Sequence, residues 1–146
     1  MPHVRVELAI EADIDIVWKT VCAVEYYPEY MANVRTVTIL RHDDTVRATA
    51  WSVLLKGSIL EWTEEERIDD DRRRIEFGQI DGDLDRFDGY WQVSPGTDGA
   101  TEVVLDIDFE IGLPLLAQML DPVASRALRD NSEQMLRQLE RKALVG

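Results

Sequence analysis

Residues 14–31 read IDIVWKTVCAVEYYPEYM, and their period decides the fold. Ile14, Val17, Val21 and Val24 recur at helical spacing. Asp13 and Asp15 favour the positive amino-terminal end of such a helix. Pro28 interrupts it and can open a short second helix, because its fixed φ suits a first helical position. Two helices thus follow one another with no strand between them. Upstream, Val4, Val6, Leu8 and Ile10 alternate with Arg5 and Glu7, the pattern of a half-buried strand.

Downstream the chain reads as strands joined by turns. Val34 to Arg41 is β-branched, and His42-Asp43-Asp44 is a turn. Thr45 to Leu55 and Ile59 to Ile68 flank the tight turn Lys56-Gly57-Ser58. Arg74 to Ile80 and Arg86 to Val93 flank Asp81-Gly82-Asp83. Pro95 to Gly99 precedes a last strand, Thr101 to Ile111. There Val103, Leu105, Ile107, Phe109 and Ile111 oppose Val104, Asp106, Asp108 and Glu110, so one sheet face is dry and one wet. Leu115 to Leu120 fits a short helix, and Asp121-Pro122 caps a long one running to about Leu144. Its apolar stripe is Val123, Ala127, Leu128, Met135, Leu136 and Leu139. The expected class is α+β, with seven strands in a curved antiparallel sheet and one long terminal helix. One helix cannot close such a sheet tightly along its length, so an internal apolar cavity is expected.

The composition agrees. A chain of 146 residues, 45% hydrophobic and 31% charged, suits one domain spanning 1–146 with its own core. Sixteen basic against 29 acidic residues give a formal charge of −13, which disfavours nucleic acid and anionic membrane. The lone Cys22 excludes an internal disulfide, and His3 and His42 lack metal-ligand spacing. No apolar run approaches the ~18 residues of a membrane span, and Met1 to Glu7 is no signal peptide. A cytoplasmic protein without a metal is expected, either monomer or homodimer.

The stretch Ile14 to Trp18, followed by Glu25 to Met31, resembles the helix pair of the START/polyketide cyclase superfamily. Glu61-Trp62 through Arg67-Ile68 is similar to a middle strand of that family. Gly82 to Trp91 resembles its coenzyme Q-binding and ribosome-associated toxin branch, and Asp106 to Glu110 with Asn131 completes the likeness. The resemblance implies a helix-grip fold around a ligand cavity. It implies one of two functions: a polyketide aromatase/cyclase that folds a poly-β-ketone and promotes aldol closure and dehydration, or a carrier of a quinone, lipid or other apolar metabolite. A weaker implication, from the toxin branch, is a ribosomal partner. In the aromatase/cyclases a Tyr after the second helix, an Arg on a middle strand and an Asn on the last helix serve the chemistry. Asn131 matches the last. Arg67 matches the second if one residue is inserted after Trp62. Val34 stands where the Tyr would be, with Tyr27 or Tyr30 as substitutes.

The expected catalytic residues are therefore Arg67, as a cation for developing enolate charge, and Asn131, as a carbonyl-positioning amide. Asn131 falls in line with the apolar stripe, where an unpaired amide costs about 1–3 kcal/mol. Strict alternation would set Arg67 opposite Leu60 and Trp62, and a bulge among Thr63 to Glu66 would bring it to their face. Trp51, Trp62, Tyr90, Trp91, Phe109, Met135 and Tyr30 are the expected ligand wall, with Gln79 as a second polar group. No cofactor is required, because β-diketone α-protons are already acidic. Asp106, Asp108 and Glu110 read as a solvated face, and Cys22 as core. Arg72-Arg73-Arg74 reads either as a solvated turn or as a docking spot for an acidic acyl carrier protein.

Overall fold

The computed structural model describes residues 3–110 and 121–145. The chain runs β1 (His3–Ile10), α1 (Ile14–Cys22), a 3-10 turn (Val24–Tyr26), α2 (Tyr27–Tyr30), β2 (Val34–Asp43) and β3 (Val46–Leu55). It continues through β4 (Ser58–Asp69), β5 (Arg74–Gly82), β6 (Arg86–Pro95), β7 (Thr101–Glu110) and α3 (Asp121–Val145). The segments expected at Ile111, Gly112 to Pro114 and Leu115 to Leu120 lie outside the described residues, as do the side chains of Asp121, Pro122 and Val123.

The seven strands form one antiparallel sheet in the order β1-β7-β6-β5-β4-β3-β2. Six of them are a meander, in which each strand turns back on its predecessor. β1 instead pairs with β7, from His3 opposite Asp108 to Ile10 opposite Thr101. The chain must then travel from one edge of the sheet to the other, and α1 and α2 make that crossing. Lys56 and Gly57 both hold positive φ, 51° and 78°, as a two-residue hairpin of right-handed strands requires.

α1 ends earlier than Pro28 would dictate, at Ala23, whose N–H reaches the carbonyl of Lys19. Tyr27 explains the sharp path that follows. Its ring is fully buried and meets Trp51, Trp91 and Tyr30 edge-on, and its hydroxyl donates to the Val21 carbonyl at 2.6 Å. α3 packs across the concave side of the curved sheet with Ala124, Ala127, Leu128, Met135, Leu136 and Leu139 buried. Two glutamines pin it: Gln138 accepts from the Ala32 N–H, and Gln134 accepts from Asn33 Nδ2. Arg129 donates to the Arg5 carbonyl at 2.9 Å, tying the same helix to β1. The result is a helix-grip fold.

Candidate functional site

Between α3 and the sheet lies an apolar chamber. Trp51, Leu60, Trp62, Phe77, Phe87, Trp91, Leu105, Leu128 and Met135 form most of its wall. The space open to water-sized molecules is about 50 Å³. That is room for roughly three to five waters at 10–15 Å³ each, so a larger guest enters only if the walls part. Trp51 and Trp62 stand parallel, 4° apart with ring centres at 5.8 Å, and Phe87 leans on Trp62 at 4.9 Å. Flat faces of this kind suit conjugated or aromatic ligands.

Among the described residues, three polar side chains interrupt the apolar wall: Asn131, Ser132 and Glu64. Asn131 is 7% exposed, and among the described residues its Nδ2 reaches only the sulfur of Met135, at 3.8 Å. Its Oδ1 and the Ser132 hydroxyl are buried without a partner among the described residues. Asn131 therefore takes the inward place expected of it. Ser132 could have been read beside it, because it lies four residues from both Leu128 and Leu136 on the buried stripe.

Glu64 and its neighbours were not anticipated. β4 alternates without a break, so Leu60, Trp62, Glu64 and Glu66 share the inner face. The bulge that was expected among Thr63 to Glu66 falls on β5 instead. There Thr63 pairs with Asp81 and Glu64 with Gln79, and Ile80 is the extra residue. Arg67 consequently stays on the outer face, its side chain 71% exposed and 3.5 Å from Glu65. It does not reach the chamber, which corrects its expected catalytic place.

Behind the chamber wall runs a buried polar chain. Arg47 donates through Nε to Glu66 Oε1 at 2.5 Å and through Nη1 to the Cys22 carbonyl at 2.8 Å. Thr49 donates to Glu66 Oε2, and Trp51 Nε1 donates to the Thr49 hydroxyl. Trp62 Nε1 donates to Glu64 Oε1 at 2.7 Å, and Glu64 is hydrogen-bonded to Glu66. Glu66 holds the cation. Burial, and then the contact with Glu66, push the Glu64 carboxyl well above the usual carboxylate range.

The retained proton couples folding to pH. Above the ordinary glutamate pKa the unfolded chain releases the Glu64 proton, while the folded chain keeps it until its raised pKa is passed. Glu64 thus makes stability fall with rising pH across that window, by at most about 1.4 kcal/mol per pH unit. Glu64→Gln is expected to flatten this slope, gaining on wild type from pH 5 to pH 8 in urea unfolding. Parallel slopes for the two proteins would show that Glu64 titrates normally.

The remaining expected wall residues divide. Trp51, Trp62, Trp91 and Met135 line the chamber. Tyr90 does not: Trp91 faces inward, so its neighbour faces out, where Arg74 lies 3.8 Å over the ring and Arg5 donates to the hydroxyl. Phe109 is 2% exposed and belongs to the core rather than the wall. Gln79 shares the inner face with Glu64, but its amide turns away and donates to the Leu84 carbonyl at 2.6 Å. Tyr30 is half-buried against Tyr27, outside the wall, and burial raises its phenol. Tyr27 also lies outside the wall with its hydroxyl committed to Val21, so neither tyrosine replaces the phenol that Val34 lacks.

Burial pushes the Cys22 thiol up to about 12, which leaves it a packing residue. The three arginines at the β4–β5 turn each meet a carboxylate of this chain: Arg72 meets Asp69, Arg73 meets Asp15 and Arg74 meets Glu76. Asp106, expected in a solvated row, takes His3 at 2.7 Å and Arg5 at 3.5 Å. No helix among the described residues is long and apolar enough to cross a membrane.

Known structures share this architecture. TTHA0849 from Thermus thermophilus is 28% identical, with a TM-score of 0.91, covering 99% of this chain and 98% of that one. The Zhui aromatase/cyclase from Streptomyces sp. R1128 is 22% identical, with a TM-score of 0.85 over 97% and 92% of the two chains. A START superfamily protein from Mycobacterium smegmatis is 16% identical, with a TM-score of 0.82 over 97% and 96%. At those identities the last two speak for the fold alone. No curated protein matches the sequence. The family described as polyketide cyclase / dehydrase and lipid transport matches residues 10–136. With that span, which takes in both the crossing helices and Asn131, the chain belongs to this family.

Proposed function

We propose that the chain admits an apolar, carbonyl-bearing molecule, a poly-β-ketone or an aromatic intermediate derived from one, and promotes its aldol cyclisation or dehydration. The observation that carries this reading is Asn131, a buried amide in an oily wall whose oxygen has no partner among the described residues. An amide in that state binds a guest that offers both a carbonyl and a hydroxyl or enol. Its Nδ2 would donate to the carbonyl oxygen and gain strength as negative charge gathers there. The dry walls would suppress hydrolysis and hold the reacting carbons in a near-attack geometry.

Asn131→Ala is expected to slow cyclisation of a synthetic poly-β-ketone by about 100-fold, the usual loss for one donor to an oxyanion. Ligand affinity, read from quenching of the wall tryptophans, should change far less. Equal rates for wild type and variant would remove Asn131 from the chemistry. The second reading is a carrier of a quinone or lipid, favoured by a wall that is apolar in twelve of its fifteen described residues. A wild-type chain that retains such a molecule in native mass spectrometry and turns over no ketone would establish the carrier instead.

A further inference from the structure

We propose that Glu64 is the proton donor and acceptor of the chamber, and that the guest it serves is an uncharged β-hydroxy ketone. The inference rests on the cyclisation and dehydration reading and names its acid–base residue.

Glu64 is 4% exposed, belongs to the chamber wall, and is the one carboxyl group among the described wall residues. The buried cation nearby, Arg47, is already spent on Glu66, which also takes the Thr49 hydroxyl. A second buried anion on the same strand face would have no cation of its own. Glu64 is therefore the member that carries the proton, and the direction of its shift agrees. Once the proton leaves, Trp62 Nε1, at 2.7 Å, is in place to steady the carboxylate. A carboxyl held above the usual range keeps a proton to give and can take it back, where an ordinary surface carboxylate is already ionised. The dry wall also selects the guest: a carboxylate guest would lose its hydration with no cation among the described wall residues to meet it, whereas a ketone would not.

The step balances on Glu64 alone. Its O–H proton goes to the β-hydroxyl oxygen, the C–O bond breaks with its electron pair, and water departs. The α C–H proton passes to the Glu64 carboxylate, and the C–H pair becomes the C=C bond of the enone. Glu64 ends as it began. The titratable groups that face the pair from other elements are Arg47 on β3, Tyr27 on α2 and Cys22 on α1. Burial holds the last two neutral, and the described wall residues of α3 are all uncharged, Asn131 and Ser132 being the polar ones. Loss of activity at high pH thus reports on Glu64.

The test uses 4-hydroxy-4-phenylbutan-2-one, whose dehydration gives a conjugated enone read by absorbance. Glu64→Gln keeps the shape and the acceptor for Trp62 but cannot exchange the proton. Its kcat is expected to fall about 100-fold or more, with affinity by tryptophan quenching within threefold of wild type. Wild-type kcat should decline with rising pH, and the residual rate of the variant should not follow that limb, a difference that a merely structural role for Glu64 would not produce. If wild type dehydrates the ketol and Glu64→Gln matches it within threefold, the role of Glu64 is overturned while the cyclase reading stands. If wild type binds the ketol and dehydrates none, both fall together.

Discussion

Arg47→Met destabilises the fold by about 3–5 kcal/mol at neutral pH, the range measured when one partner of a buried pair is removed. Arg47 and Glu66 have side chains 4% and 2% exposed, so water does not screen their contact. Methionine matches the arginine stem in bulk, and the loss is therefore electrostatic rather than a cavity. It strands the Glu66 carboxylate without a cation, with only neutral partners, the Thr49 hydroxyl and the Glu64 carboxyl, left to it, and frees the Cys22 carbonyl. Pairing the change with Glu66→Gln should restore most of the stability at pH 7, because no unpaired charge remains. Urea unfolding of both variants at pH 7 checks this. A loss below 1 kcal/mol for Arg47→Met, or one that Glu66→Gln does not relieve, would mean that the pair is not a closed ionic contact.

That pair also marks where sequence reading runs out. The strands and the crossing helices were legible, because alternation in β1 and β7 and the 3-4 spacing of Val17, Val21 and Val24 have no competing meaning. Asn131 was legible for the same reason, as one amide on an apolar stripe. Thr63-Glu64-Glu65-Glu66 had two meanings. Four polar residues look like a break in a strand, yet two of them are buried because Arg47, 19 residues upstream of Glu66, lies beside them across the sheet. A charge does not announce its distant partner, so alternation carried on from Leu60 and Trp62 was the better guide. The cost of choosing the bulge was a whole face. A shift of one residue sends every side chain to the other side, and Arg67 was moved inward when Glu64 and Glu66 belonged there. Tyr90 shows the same parity: once Trp91 is a wall residue, its neighbour cannot be one.

Gly89→Ala tests the backbone that sets the chamber's floor, and it is expected to cost at least about 3 kcal/mol, the upper end of ordinary overpacking. Gly89 lies in β6 opposite Ile107, between the wall residues Phe87 and Trp91. A Cβ there would run into the Asp106 carbonyl oxygen and stand 3.0 Å from the Ile107 Cα. Both are backbone atoms of β7, so no rotamer change relieves the clash, and the two strands must separate. Glycine at this point allows the close approach. For a chain of this size the expected fall in Tm is about 6–12 °C, at 2–4 °C per kcal/mol. Gly78→Ala is the control within the same sheet. Its added methyl would meet the nearest atom, Asp88 Cβ, at 3.8 Å, an ordinary contact, and its stability should stay within about 0.5 kcal/mol of wild type. If both variants lose equally, the cause is the removal of glycine from a strand in general. If only Gly89→Ala loses, the chamber owes its shape to a bend that a single missing side chain permits, and the stacked tryptophans should register the change in their fluorescence before the protein unfolds.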